Sequence, residues 1–263
     1  RPVDPLPGPR TLDEVENAEV IGPGAALAHP DTSGPGGFLF AESRMAGVLG
    51  EPTVLIDPNG GPRAVAAGLD AAAHHLGCDL VVLVDVGGDV LGHGHEPNLA
   101  SPLCDAVLLA AARFMETPAL GAVFGPACDG ELTPEEVLER LAELAADGGW
   151  LGTWGLTPAA TELLERAVQD VITEASAQAL LAARGKVGPS PIREGRRHVQ
   201  LSPVSALTFF YDCEIAIAGP ARCAAAVIDA GSLQEADAIL LAHGVRTELG
   251  WETARAAEAQ QQS

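Results

Sequence analysis

The sequence predicts an α/β protein: a three-layer, Rossmann-like domain with a mostly parallel sheet and a helical C-terminal subdomain. Three observations point there. Short apolar runs alternate with helical patterns along the first half of the chain. The runs Thr53-Val-Leu-Ile56, Leu80-Val-Val-Leu-Val84 and Leu120-Gly-Ala-Val-Phe124 carry no charged residue, as befits strands buried on both faces. The chain has 263 residues, 47% of them hydrophobic, which is enough for a sizeable core.

Taken in order, residues 1–17 are Pro-rich and then acidic, and read as an arm. Glu19-Val-Ile21 reads as the end of a short strand, turned by Gly22-Pro-Gly24, and the Gly/Pro-rich residues 29–37 read as a flexible loop. A short helix fits 41–49. The strand 53–56 is stopped by Asp57-Pro-Asn-Gly-Gly61. A helix over 62–76 has Pro62 at the tolerated first position and Gly77 past its end. After the strand 80–84 comes an acidic loop. Ser101 and Pro102 then open a helix to about residue 115, since Ser is a good N-cap and Pro a good first residue. The strand 120–124 completes a core over residues 1–132.

Residues 133–263 read as a helical segment with a returning strand packed on the same sheet. Thr133 opens a helix to about 146. Gly148-Gly-Trp150-Leu-Gly-Thr-Trp154-Gly155 reads as a rigid aromatic turn. Thr157 caps a long helix to about 184, with apolar residues at helical spacing. Residues 185–198 read as a loop carrying Arg193, Arg196, Arg197 and His198. Leu207–Asp212 reads as a strand, 233–242 as a helix, and the final Ala-Gln-Gln-Gln-Ser as a mobile tail.

The net charge is −21. Nucleic acids and anionic membranes need a basic surface, so both are poor partners. No apolar run reaches the ~20 residues that span a bilayer. Five scattered cysteines form no Cys-x-x-Cys pattern and read as small core residues, which fits a reducing cytoplasm. Gly185-Lys186-Val187 lacks the rest of a phosphate-binding Gly-rich loop. The chain has no Gly-x-Ser-x-Gly elbow and no His-Glu-x-x-His.

The chemistry concentrates in residues 85–105. Those 21 residues hold three Asp, one Glu, two His and four Gly directly after an apolar strand. In open α/β sheets ligands bind beyond the carboxyl ends of the strands. Asp85, Asp89 and Glu96 are the candidate acid/base or metal-binding set, as hard oxygen ligands for Mg²⁺ or Mn²⁺. His93 and His95 could add imidazoles from one side of an extended segment. Gly87 and Gly88 are candidates to offer backbone N–H groups to a ligand. Ser101 and Asp105, at the next helix, and Tyr211 and Asp212, at a second strand end, are candidate ligand contacts. A metal-free site, with one carboxylate as general base, uses the same residues. The Arg193/Arg196/Arg197 cluster could clamp a phosphate or carboxylate, or form a salt-bridged loop.

The run Asp85-Val-Gly-Gly-Asp89-x-Leu-x-x-Gly94-x-Glu96, with Ser101-Pro102-x-x-Asp105 and Thr208-Phe-Phe-Tyr211-Asp212, resembles an uncharacterised bacterial and archaeal family known only as a domain of unknown function. The resemblance covers about residues 38–215. It implies a Rossmann-like fold and brings no activity. Members carry an earlier strand and a Gly-rich, Asp-containing loop. Residues 1–132 show neither, so that strand and loop either precede Arg1 or have been lost. The family pattern does not require His93 or His95, which shifts weight to Asp85, Asp89 and Glu96. The expectation is an enzyme acting on a small polar metabolite by hydrolysis or group transfer, as a possible homo-oligomer. The alternatives are a non-catalytic metabolite- or nucleotide-binding module and a subunit of a larger assembly.

Overall fold

The computed structural model describes residues 7–253; the first residues of the expected arm and the Gln-rich tail lie outside them. The chain folds as a mixed α/β protein. Its first sheet is antiparallel, in the order β1 (Glu16–Gly22), β2 (Ala25–Ser33), β3 (Thr53–Ile56). Helices α1 (Ala41–Leu49) and α2 (Gly61–Leu76) pack on it. The ends of α2 follow from its sequence: Pro62 lies in the first turn, and Gly77 closes the helix with a left-handed φ of 67°.

Residues 29–33, expected in a loop, belong to β2. The β1–β2 register jumps from Glu16↔Ser33 to Ala18↔Ala28, so Pro30 and its neighbours form a bulge inside the strand. Buried Thr32 holds it, accepting from the His29 N–H at 2.8 Å and donating to the Asn17 carbonyl at 2.6 Å.

The second sheet carries the chemistry. Its order is β4 (Val81–Val86), β5 (Ala119–Phe124), β9 (Leu207–Tyr211), β6 (Trp150–Gly155). β4 and β5 pair in parallel, and β9 is antiparallel to both β5 and β6. Three strands thus share one direction and β9 alone is reversed. One face packs on α3 (Pro102–Ala111), α4 (Pro134–Ala146) and α7 (Cys213–Ala218), with α8 (Arg222–Val227) and α9 (Leu233–Ala242) against α3, in a core that includes Leu103, Val107, Val123, Leu144, Tyr211 and Leu240. On the other face Val84 and Trp154 stay exposed at 54% and 66%. Most of the cysteines are buried or half-buried, as expected of core residues; Cys78 is exposed.

The residues expected to form an aromatic turn are strand β6. Gly148, at φ 77°, makes the turn, and the Trp and Thr residues that follow pair with β9. The long helix after Thr157 is two helices, α5 (Pro158–Asp170) and α6 (Glu174–Ala183). The break falls on the β-branched run Val171-Ile172-Thr173, where Val171 turns extended and Thr173 caps α6. The expected loop 185–198 is a hairpin of β7 (Gly188–Ile192) and β8 (Arg197–Leu201). Pro189 and Pro191 mask its pattern in sequence, while Ser190, Ile192, Val199 and Leu201 alternate inward.

Gly121 is required by packing rather than by backbone conformation. A Cβ there would stand 2.0 Å from the ring of Tyr211, its partner across β5–β9. Gly121→Ala is expected to destabilise the protein by about 2–3 kcal/mol through overpacking. A lowered urea midpoint at unchanged slope would show it, and Tyr211→Leu in the same background should restore part of the loss. An unchanged midpoint for Gly121→Ala contradicts this packing.

Candidate active site

Because β4 and β5 run in parallel side by side, the loops that leave their carboxyl ends meet. The first begins at Asp85, which lies opposite Val123 on β5. Gly87 and Gly88 turn it with φ of 129° and 109°, values open to glycine and strained for other residues. Their N–H groups are not offered to a ligand as the sequence suggested. Gly87 donates to the Phe124 carbonyl at 3.0 Å, and Gly88 to the Asp85 carboxylate at 2.8 Å. The glycines serve close approach instead. A Cβ on Gly87 would stand 2.1 Å from an oxygen of Asp129.

Asp129 belongs to the second loop, Gly125-Pro-Ala-Cys-Asp129-Gly130-Glu131, which follows β5. The loops are stitched by the Ala127 N–H, donated to the Gly87 carbonyl at 2.6 Å, with Ala127 at a left-handed φ of 62°. Sequence reasoning passed over Asp129 and Glu131. The signal was present: an apolar strand followed by glycines and acids, as after β4.

The two loops and the start of α3 gather five carboxylates. Asp85, Asp89 and Asp105 each bring an oxygen within 4.8 Å of the others, and so do Asp89, Asp129 and Glu131. Asp89 is common to both groups and is 4% exposed. The members differ in how far they are satisfied. Buried Glu131 accepts from the N–H groups of Ala100 and Ser101 at 2.7 and 2.9 Å and from the Ser101 hydroxyl. Asp85 accepts from Gly88 and, at 3.4 Å, from Val90. Neither oxygen of Asp129, a residue only 8% exposed, has a partner at full hydrogen-bond geometry; the backbone N–H groups of Asp129 and Glu131 offset its burial only in part. Leaving a buried carboxylate unpaired is costly.

This crowding moves the acids upward. Burial, with help from the Glu131 charge, lifts Asp85 to about 6 against the N–H bonds it accepts. Burial and then the charge of Asp85 push Asp89, Asp105 and Asp129 well above the ordinary carboxylate range. Strongly perturbed acids at a sheet's carboxyl edge are a mark of functional sites.

The remaining expected residues lie elsewhere or have other partners. Glu96 groups with His93 and His95 and not with the aspartates. Its carboxylate closes its own loop, accepting from the N–H groups of His93, Gly94 and His95 at 2.7, 2.9 and 3.1 Å, with Arg140 at 3.7 Å. Burial pushes Glu96 up, but these N–H bonds win and hold it below its ordinary pKa. His93 Nε2 meets Glu143 at 3.2 Å, and His95 is exposed. Ser101 does not cap α3 with its side chain. The helix start is instead held by Glu131 and by Glu248, which accepts from Leu103 and Cys104 at 3.0 and 2.8 Å. Since β9 is reversed, its end lies beside the start of β5. Tyr211 is therefore sealed in the core opposite Gly121, and Asp212 caps α7 by accepting from Ile215 at 3.0 Å.

Among the described residues no helix is long and apolar enough to cross a membrane. No curated protein and no solved structure matches this chain. The profile of a protein family of unknown function, DUF1152, matches residues 1–256, and the chain belongs to that family.

Proposed function

We propose that the protein is a divalent-cation-dependent enzyme that acts on a small polar metabolite by hydrolysis or group transfer, with Mg²⁺ or Mn²⁺ held among Asp85, Asp89, Asp105 and Asp129. The observation that carries this reading is the buried carboxylate of Asp129, without a hydrogen-bond partner of full geometry and grouped with acids that burial first and mutual repulsion second push upward. A hard cation would satisfy Asp89 together with the members of either group it joins, Asp85 and Asp105 or Asp129 and Glu131. Carboxylate oxygens within 4.8 Å of one another suit an ion that takes oxygen ligands at about 2.0–2.6 Å.

Glu131 is the anchor that ties the Asp129 loop to α3. Such an ion, when bound, would supply Lewis-acid polarisation of a substrate oxygen or a water of lowered pKa. An aspartate of the group that does not hold the ion would serve as the general base. A Rossmann-like second sheet would take its ligand where these two loops meet.

Titration with Mn²⁺, followed by paramagnetic resonance, tests the reading, together with turnover of a panel of small esters, amides and phosphoesters. Wild type should bind the ion and turn over at least one substrate class. Asp89→Asn should lose both while keeping its fold. Binding of cation and ligand without any turnover leaves a metabolite-binding module. Absence of Mn²⁺ binding in wild type removes the metal reading.

A further inference from the structure

A cavity of about 210 Å³ opens beside the acidic centre, with Asp129 in its wall. Its other walls come from the break between α5 and α6, through Ile172, Thr173 and Glu174, and from the tip of the β7–β8 hairpin, through Ile192 and Arg193. The hairpin is fixed there. Ile192, Val199 and Leu201 pack with Cys128 and Ala179 beneath the Asp129 loop, and Arg197 donates to the Gly130 carbonyl at 3.2 Å.

Arg193 is the cavity's cation. Its φ is 53° and that of Glu194 is 58°, left-handed values that cost a non-glycine residue about 1 kcal/mol or more. The Arg193 N–H donates to Glu174 at 3.2 Å, which holds the tip in place. The guanidinium stands 3.8 Å from both Glu131 and Glu174, within ion-pair range and beyond hydrogen-bond length. Its fork is therefore positioned by charge on both sides while its N–H groups remain open to a third partner.

We propose that this cavity is the substrate's phosphoryl subsite, with the anion held between a cation at Asp129 and the fork of Arg193; the proposal rests on the metal-dependent reading above. Asp129 and Glu174 in the wall, with the other acids behind, repel an anion from the metal-free site. One divalent ion and one guanidinium reverse that balance. A phosphoryl group suits the pair because one oxygen can face the ion and two the fork. A carboxylate bound to the ion has no such surplus. Ile172 and Ile192 leave an apolar strip for a short organic tail. At about 210 Å³ the cavity is smaller than the ~300–1,000 Å³ of typical ligand pockets, so the substrate is a small phosphorylated compound.

Calorimetric titration of inorganic phosphate into the full-length chain, with and without saturating Mg²⁺, tests this, with acetate as the competing anion and Mg²⁺ titration itself as a control. The expected result is phosphate binding only in the presence of Mg²⁺, weakened at least tenfold in Arg193→Gln, while Mg²⁺ affinity in the variant stays within twofold of wild type. That retained affinity also shows that the variant is folded. Mg²⁺ binding without phosphate binding overturns the subsite alone. Equal phosphate binding in Arg193→Gln, equal binding without Mg²⁺, or acetate binding as tight as phosphate overturns it too. Absence of Mg²⁺ binding takes down the metal reading and this inference together.

Discussion

Saturating Mg²⁺ or Mn²⁺ is expected to raise the thermal midpoint of wild type by roughly 5–10 °C, and Asp129→Asn should abolish that rise. An ion that binds only the native state stabilises it by about 2.7 kcal/mol at a hundredfold excess over its dissociation constant. For a chain of this size each kcal/mol is worth roughly 2–4 °C. The variant has a second signature. Asn keeps the shape of Asp129 and removes a charge that faces Asp85 and Glu131. The metal-free variant at pH 8 should therefore melt no lower than metal-free wild type. A structural aspartate would behave in the opposite way, costing stability when changed. Asp129→Asn retaining the full ion-dependent rise would remove Asp129 from the site.

Metal-free protein should lose stability as pH rises from 5 to 8. Asp85 has a native pKa of about 6 against an ordinary 3.8, which corresponds to about 3 kcal/mol. Between those values the native state holds a proton that the unfolded chain has released. Unfolding then releases protons, and stability falls with pH until Asp85 is ionised in both states. Asp89, Asp105, Asp129 and Glu248 are displaced in the same direction and extend the fall upward. His93 opposes it, because burial and then Arg140 lower its pKa, so its contribution grows as pH rises. Glu96 and Asp70 are lowered acids; what they contribute is lost only as pH falls through their native values, below the window in question. Calorimetric melts in EDTA at pH 5, 6, 7 and 8 measure the slope. Saturating Mg²⁺ should flatten it, since the ion holds the carboxylates deprotonated. A midpoint in EDTA that stays level or climbs across this range would sink the account of the acidic centre.

The half of the centre that is local in sequence could be read from it. Asp85, Gly87, Gly88, Asp89 and Asp105 follow one apolar strand and open one helix. Asp129 joins them only because β5 lies beside β4 in parallel and its loop folds back onto Gly87. Adjacency of strands is a property of the assembled sheet, and so is the reversed direction of β9, which carries Tyr211 and Asp212 away from the acids. Glu96 misleads for a related reason: an acid directly after a His-Gly-His run reads as a ligand, while its work is to close that turn. In the run 148–155 four glycines outweighed two tryptophans, and in the α5–α6 break a periodic apolar pattern outweighed the β-branched run within it.

The exposure of β6 also decides what light can report about this molecule. Trp150 and Trp154 are 53% and 66% exposed on an edge strand two places from β5, and Trp251, near the end of the described chain, is 53% exposed. Every indole of the sequence is thus already wet in the native state, and none lines the acidic centre. Intrinsic emission will sit close to that of the unfolded chain and will pass over events at Asp89. Filling the cavity beside Arg193 will leave the tryptophans dark to it, unless a reporter indole is placed at Ile172.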